Sequence, residues 1–216
     1  MDKVREGFMS QQKIKILFLT NNGKALGLYD WIKTKEDITC NLLQEKIKLE
    51  ILEEFDPDLI ISYGYRYIIK KDVIERWRGK IINLHISYLP WNKGADPNFW
   101  SIIENTPKGV TIHLIDEGID TGDIVFQKEF NFDDESETLS SSYNKLQSEI
   151  QNLFKENWNQ IKNLTFKPIH QEEVGTIHYK KDFEKLSFLI NEKGWDITIK
   201  ELKQNYNNYM RSYENR

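Results

Sequence analysis

Apolar residues in this chain fall into short continuous runs that alternate with stretches of helical period. The first run, Ile14-Lys15-Ile16-Leu17-Phe18-Leu19-Thr20, has strand length and the near-continuous apolar character of a strand covered on both faces. After the Asn21-Asn22-Gly23 break, Ala25, Leu26, Leu28, Tyr29, Trp31 and Ile32 predict an irregularly amphipathic helix, and a short strand follows near Ile38 to Cys40. Ile47 to Phe55 reads as a helix stopped by Asp56-Pro57, and Leu59-Ile60-Ile61-Ser62 as a second buried strand. A helix from about Lys71 to Trp77 leads to the strand Lys80 to His85, which runs directly into a polar loop beginning at Ser87.

Downstream, Gly109 to Ile115 and Ile124 to Lys128 are predicted strands joined by the acidic, glycine-punctuated loop Asp116 to Asp123. Leu139, Tyr143, Leu146, Ile150, Leu153, Phe154, Trp158, Ile161 and Leu164 recur every three or four residues, the strongest helix signal in the chain and a core stripe. Beyond Pro168 the pattern weakens, with helical readings over Asp182 to Ile190 and from about Thr198 onward. In the latter, Tyr206, Tyr209, Met210 and Tyr213 form an apolar stripe that needs a surface to pack on. This alternation predicts an open, mostly parallel α/β sheet with ligands beyond the carboxyl ends of its strands, where Asn83 and His85 lie. The expected organisation is a flexible tail over 1–13, a catalytic domain over 14–166, and an appendage over 167–216 serving dimerisation or substrate contact.

Composition narrows the classes. Thirty basic and 34 acidic residues among 216 leave a formal net charge of −4, so no general electrostatic attraction to nucleic acid or anionic membrane is expected. The single Cys40 cannot form an intramolecular disulfide and has no CxxC partner, which fits a reducing compartment and a core role. No run of 18 apolar residues occurs, and the charged N-terminal stretch lacks an apolar segment, so a soluble cytoplasmic protein is expected.

The candidate chemistry sits at one strand end. Asn83 and His85 are two residues apart, and in a strand such residues point to the same face. An amide and an imidazole there must be satisfied by the protein, by water or by a substrate, and spacing alone leaves a hydrogen-bonded core histidine and a catalytic one both open. Gly118 and Gly122 permit tight turns that aim Asp120 at a fixed place, where it could orient and charge-stabilise a histidine. Asp116, Glu117 and Asp123 read better as a solvated loop, and His113, His170 and His178 lack metal-ligand spacing.

The stretch Asn83-Leu84-His85-Ile86-Ser87-Tyr88-Leu89-Pro90-Trp91-Asn92-Lys93-Gly94 together with Asp116-Glu117-Gly118-Ile119-Asp120-Thr121-Gly122-Asp123-Ile124-Val125 resembles the paired signature of the folate-dependent formyltransferases. The likeness covers about Ile14 to Leu164 in element order. It implies a Rossmann-like formyltransferase domain, 10-formyltetrahydrofolate as cosubstrate and no metal. Carried over, Asn83 would hold the formyl oxygen, His85 would move the proton, and Asp120 would tune His85. The same likeness points to Ser62, Tyr63, Ile68 and Gly118 as folate contacts and to a cis Leu89-Pro90 bond.

Within that superfamily, Thr20-Asn21-Asn22-Gly23-Lys24-Ala25 lacks the phosphate-gripping Gly-Ser-Asn turn of the glycinamide ribonucleotide enzymes. The fifty or so residues after Leu164 are too few for the C-terminal barrel of the methionyl-tRNA enzymes. Gly94 to Trp100 and His178 to Leu186 look most like the nucleotide-sugar N-formyltransferases, which formylate a dTDP-linked 3- or 4-amino-dideoxyhexose for O-antigen and lipopolysaccharide. That likeness implies a homodimer and sugar-nucleotide contacts from Gly94, Asn98, Trp100 and Lys181. Trp100 reads equally as core, and Lys180 and Lys181 equally as a solvated face. A glycinamide ribonucleotide formyltransferase of purine synthesis and a non-catalytic folate- or nucleotide-binding protein are the competing readings.

Overall fold

The computed structural model describes residues 12–190 and 192–214; of the tail expected over 1–13, residues 1–11 lie outside the described residues. The elements run in chain order as β1 (Ile14–Leu19), α1 (Leu26–Lys33), β2 (Ile38–Leu43), α2 (Leu49–Phe55), β3 (Leu59–Tyr63), α3 (Lys71–Arg76) and β4 (Ile81–His85). They continue with β5 (Lys93–Gly94), α4 (Pro97–Ile103), β6 (Lys108–Leu114), β7 (Ile124–Phe130), α5 (Leu139–Glu156), α6 (Trp158–Lys162), β8 (Ile177–His178), α7 (Lys180–Leu186) and α8 (Ile199–Glu214).

Six strands form one sheet in the order β2-β1-β3-β4-β6-β7. The β1–β2, β1–β3 and β3–β4 pairs are parallel, and β4–β6 and β6–β7 are antiparallel. The architecture is the expected α/β sheet flanked by helices. Side-chain alternation divides the core between its two faces. Ile16, Phe18, Leu59, Ile61, Tyr63, Ile82 and Leu84 pack with α1 and α5 on one side. Leu17, Leu19, Ile60 and Ile81 pack with α2 and α3 on the other.

The long apolar stripe from Leu139 to Leu164 breaks into α5 and α6. At Asn157 the backbone leaves helical geometry (φ −103°, ψ 13°), and its amide Nδ2 donates to the Leu153 carbonyl at 2.8 Å, the local side-chain competition that shortens helices at asparagine. Both pieces still turn apolar residues to the same core, which is why the periodicity ran on. The helix read over Asp182 to Ile190 is likewise split, into α7 and a 3-10 turn over Ser187–Ile190.

The C-terminal segment shares a core with the catalytic segment. Phe99, Trp100, Ile102 and Ile103 of α4, with Leu139, pack against Leu189, Ile197, Ile199 and Leu202. Tyr206 and Tyr209 join this cluster, so part of the α8 stripe finds its packing surface within the chain. The segment between α6 and α7 crosses the polar loops: Ile169 bridges Ile124, and β8 pairs with β5. Cys40 is half-buried against the first cluster, and burial pushes its thiol up to about 12.

Candidate active site

The site begins with strand register. Ser62 of β3, Asn83 of β4 and His113 of β6 are direct partners across the sheet, so their side chains share one face in a row. His85, two residues beyond Asn83, ends β4. Asp120 reaches them from the β6–β7 loop with a left-handed backbone (φ +51°), a conformation that Asp tolerates. The loop is held in place by the crossing segment: Gln171 Nε2 donates to the Asp120 carbonyl at 3.0 Å and to the Gly122 carbonyl at 2.7 Å.

Asn83 Nδ2 donates to Asp120 Oδ1 at 3.2 Å and lies 3.2 Å from His113 Nε2. His113 Nδ1 faces the Leu114 carbonyl at 2.8 Å; a carbonyl can only accept, so Nδ1 carries a proton. His113 Nε2 stands 3.3 Å from Asp120 Oδ1. The other carboxylate oxygen, Oδ2, accepts the Gly94 backbone N–H at 2.8 Å and lies 3.7 Å from His85 Nε2. His85 Nε2 in turn faces the Asn92 carbonyl at 3.3 Å, which places the proton of the neutral ring on Nε2 and the lone pair on Nδ1.

The electrostatics separate two roles. Burial pushes the Asp120 carboxyl up, but His85, His113 and the Gly94 N–H outweigh it and hold Asp120 well below the usual carboxylate range. Burial depresses His85, aided by His113, against the upward pull of Asp120. An ionised acid therefore stands beside a neutral imidazole able to take a proton.

Two cavities, each of about 290 Å³, meet at this cluster, and Asn83 and Asp120 line both. One is walled by His85, Gly94, Asp96, Asn98, Tyr143 and Trp195; the other by Ser62, Tyr67, Ile68, His113, Gly118 and Ile119. Asn83, His85 and Asp120 are thus brought together. Ser62, Ile68 and Gly118 share the second cavity, but Tyr63 does not: as the strand neighbour of Ser62 it points to the opposite face, lines the first cavity, and donates its hydroxyl to Gln147 Oε1. Gly94 and Asn98 line the first cavity. Asn98 Nδ2 donates to the Leu139 carbonyl and Ser142 Oγ, while its Oδ1 is buried without a partner.

Trp100 and Lys181 line neither cavity. Trp100 is core, 5% exposed, stacked on the His178 ring at 3.9 Å, because the core face of α4 includes its position. Lys181 is exposed on α7, over the Tyr179 ring. The Leu89-Pro90 bond is cis. His113 and Gln171 are the site residues that sequence spacing does not single out. Among the described residues no group of three or more His, Cys, Asp or Glu could hold a metal ion, and no helix is long and apolar enough to cross a membrane.

Residues 19–157 match the formyl transferase family model. The formyltransferase PseJ from Anoxybacillus kamchatkensis, solved with UDP-4,6-dideoxy-4-formamido-L-AltNAc and tetrahydrofolate, is 44% identical and superposes with a TM-score of 0.80, covering 87% of this chain and 97% of that one. The sugar 3N-formyl transferase WlaRD, solved with dTDP and 5-N-formyl-THF, is 26% identical with a TM-score of 0.63 over 79% of this chain and 71% of its own. Methionyl-tRNA formyltransferase of Clostridioides difficile is 26% identical over 195 residues, 84% of this chain and 59% of the relative. The chain spans about a third to three-fifths of the length of the first curated relatives it matches.

Proposed function

Because the chain belongs to the formyl transferase family, we propose that it moves a formyl group from 10-formyltetrahydrofolate to the amine of a nucleotide-linked amino sugar. The observation that carries this reading is the meeting of two cavities at Asn83 and Asp120. A transfer between two bound substrates needs two pockets that open on one set of reacting groups.

The cavity of Ser62, Tyr67, Ile68, Gly118 and Ile119 suits the flat, hydrogen-bonding pteridine of the folate: its isoleucines and tyrosines give apolar wall, Asp116, Glu117 and Asp120 give acceptors, and Ile68 at 82% exposed offers bare apolar surface there. The other cavity suits the amine. Asp96 and Asp120 are its charged lining residues and, among the described residues, no Lys or Arg lines it, so it presents acceptors to the amine. The Asp96 side chain makes no capping bond to α4.

In the proposed reaction the amine attacks the formyl carbon, and the Asn83 amide turns an N–H from His113 Nε2 to the oxygen as negative charge develops on it. His85, neutral with its lone pair on Nδ1, takes the proton from the attacking nitrogen, and the charge of Asp120 stabilises the imidazolium so formed. The proton then passes to the departing folate nitrogen.

For the acceptor, the 44% identity to a formyltransferase solved with a UDP-linked 4-formamido sugar favours a UDP-linked 4-amino-dideoxy sugar. A dTDP-linked 3- or 4-amino sugar is the second reading, favoured by the likeness to WlaRD. The test offers UDP- and dTDP-amino sugars, glycinamide ribonucleotide and methionyl-tRNA side by side with 10-formyltetrahydrofolate and follows release of tetrahydrofolate. Turnover confined to glycinamide ribonucleotide or to the tRNA would overturn the sugar reading; no turnover with any amine would overturn the transferase reading.

A further inference from the structure

The cavity that contains His85 and Asp120 is also lined by Trp195, Tyr143 and Asn22. Trp195 lies in a short 3-10 turn, Gly194–Asp196, that precedes α8. The residue is 40% exposed, although the turn carrying it is anchored. Ile197 is fully buried, and its carbonyl accepts the Leu139 N–H at 3.0 Å. The turn opens with Gly194 at φ +55°, and Trp195 meets Tyr143 in a T-shaped contact with ring centroids 5.5 Å apart and an interplanar angle of 84°. Tyr143 is itself reached by Asn22 Nδ2 at 3.4 Å. In a T-shaped pair Tyr143 covers at most one face of the indole, and Trp195 lines the cavity wall.

We propose that Trp195 is the platform on which the nucleoside base of the acceptor substrate stacks. The proposal rests on the nucleotide-sugar reading above and assigns its base to one place. A large indole kept in water by a fixed backbone gives up hydrophobic burial that a ligand can restore, and aromatic rings bind bases face to face without needing base-specific hydrogen bonds. Among the described residues no Lys or Arg lines the cavity, although Lys180 acts on the Asp96 carboxylate that does, so the exposed indole is the apolar attraction this wall offers a nucleotide. The amine end of the same molecule then faces the carboxylates of Asp96 and Asp120.

The test is calorimetric titration of the full chain with UDP, with dTDP and separately with tetrahydrofolate, using the wild type, Trp195→Leu and Trp195→Phe. Stacking of this kind predicts that Trp195→Leu weakens UDP binding about 10-fold or more while Trp195→Phe keeps most of it, and that tetrahydrofolate affinity is unchanged in both. Equal UDP affinity in the wild type and Trp195→Leu overturns the platform and leaves the sugar reading standing. Equal loss in both variants with tetrahydrofolate binding intact also overturns it, since an aromatic face alone is then insufficient. Failure of the wild type to bind either UDP or dTDP removes the nucleotide-sugar reading, and the platform with it.

Discussion

His85 Nε2 and Asp120 Oδ2 stand 3.7 Å apart, beyond direct hydrogen-bonding distance, while the same Oδ2 accepts the Gly94 N–H at 2.8 Å. Asp120 therefore acts on His85 through its charge, with its position set by a backbone donor from another loop. In Ser-His-Asp triads, by contrast, the acid bonds the imidazole directly.

This geometry makes Asp120→Asn informative. The amide oxygen can still accept from Gly94, its nitrogen then replaces the oxygen that accepted from Asn83, and the charge that raises His85 is gone. His85 must be neutral to take a proton, so activity falls as pH drops through its pKa, which burial has already placed below the ordinary value. Without the upward pull of Asp120, the acid limb of kcat should move to lower pH, and the plateau should fall by about 10²–10³. An acid limb displaced to higher pH would contradict the charge coupling.

Replacing His85 by Gln removes the proton acceptor and keeps a polar side chain. Turnover should drop by about 10²–10⁴, with UDP and tetrahydrofolate affinities close to wild type by calorimetry. Retained formyl transfer would show that the imidazole is a structural polar group of the strand end.

Gln171 spans the two carbonyls of Asp120 and Gly122 without lining either cavity. Truncation to Ala should release the Asp loop and lower kcat about 10-fold, the scale of one or two lost hydrogen bonds at about 0.5–1.5 kcal/mol each, with little change in KM. Gln171→Glu should be worse than Ala, because carboxylate oxygens would then face two carbonyl oxygens. The ordering of the two kcat values checks the clamp; a Glu variant as active as wild type would refute it.

At Gly94 the backbone has φ +86° and an added Cβ would lie 2.2 Å from the His178 carbonyl oxygen. Gly94→Ala is expected to lower stability by at least about 1–2 kcal/mol from the left-handed conformation alone, and more from displacement of β8. It should also reduce activity, since the Gly94 N–H anchors Asp120. A urea midpoint together with kcat measures both, and a variant equal to wild type in each would show that the β5–β8 contact yields freely.

The strands were legible because each is a run of apolar residues that survives on its own as a pattern. The pairing of Asn83 with His85 was legible too, since a period of two places them on one face wherever the strand lies. His113 belongs to that cluster through the register of β4 against β6, a relationship thirty residues apart that no local spacing carries, so it read as a scattered histidine. Ser62 and Tyr63, grouped together as folate contacts from the family likeness, part to opposite faces by the same alternation that united Asn83 with His85. Trp100 was open between core and sugar contact, and the packing of α4 on the C-terminal segment resolves it as core.

By itself, then, the sequence determined the α/β alternation, the strand end that bears the chemistry, and the type of that chemistry, because these depend on local periodicity and on two contiguous motifs. Tertiary structure alone decided which residues complete the site. His113 arrives by antiparallel register, Gln171 and the Gly94 N–H by a crossing segment that pins the Asp120 loop, and Trp195 by the anchoring of a C-terminal turn on the core of α4. Each is a contact between residues far apart in the chain, selected by how apolar faces pack against one another, and short-range pattern carries no record of that choice.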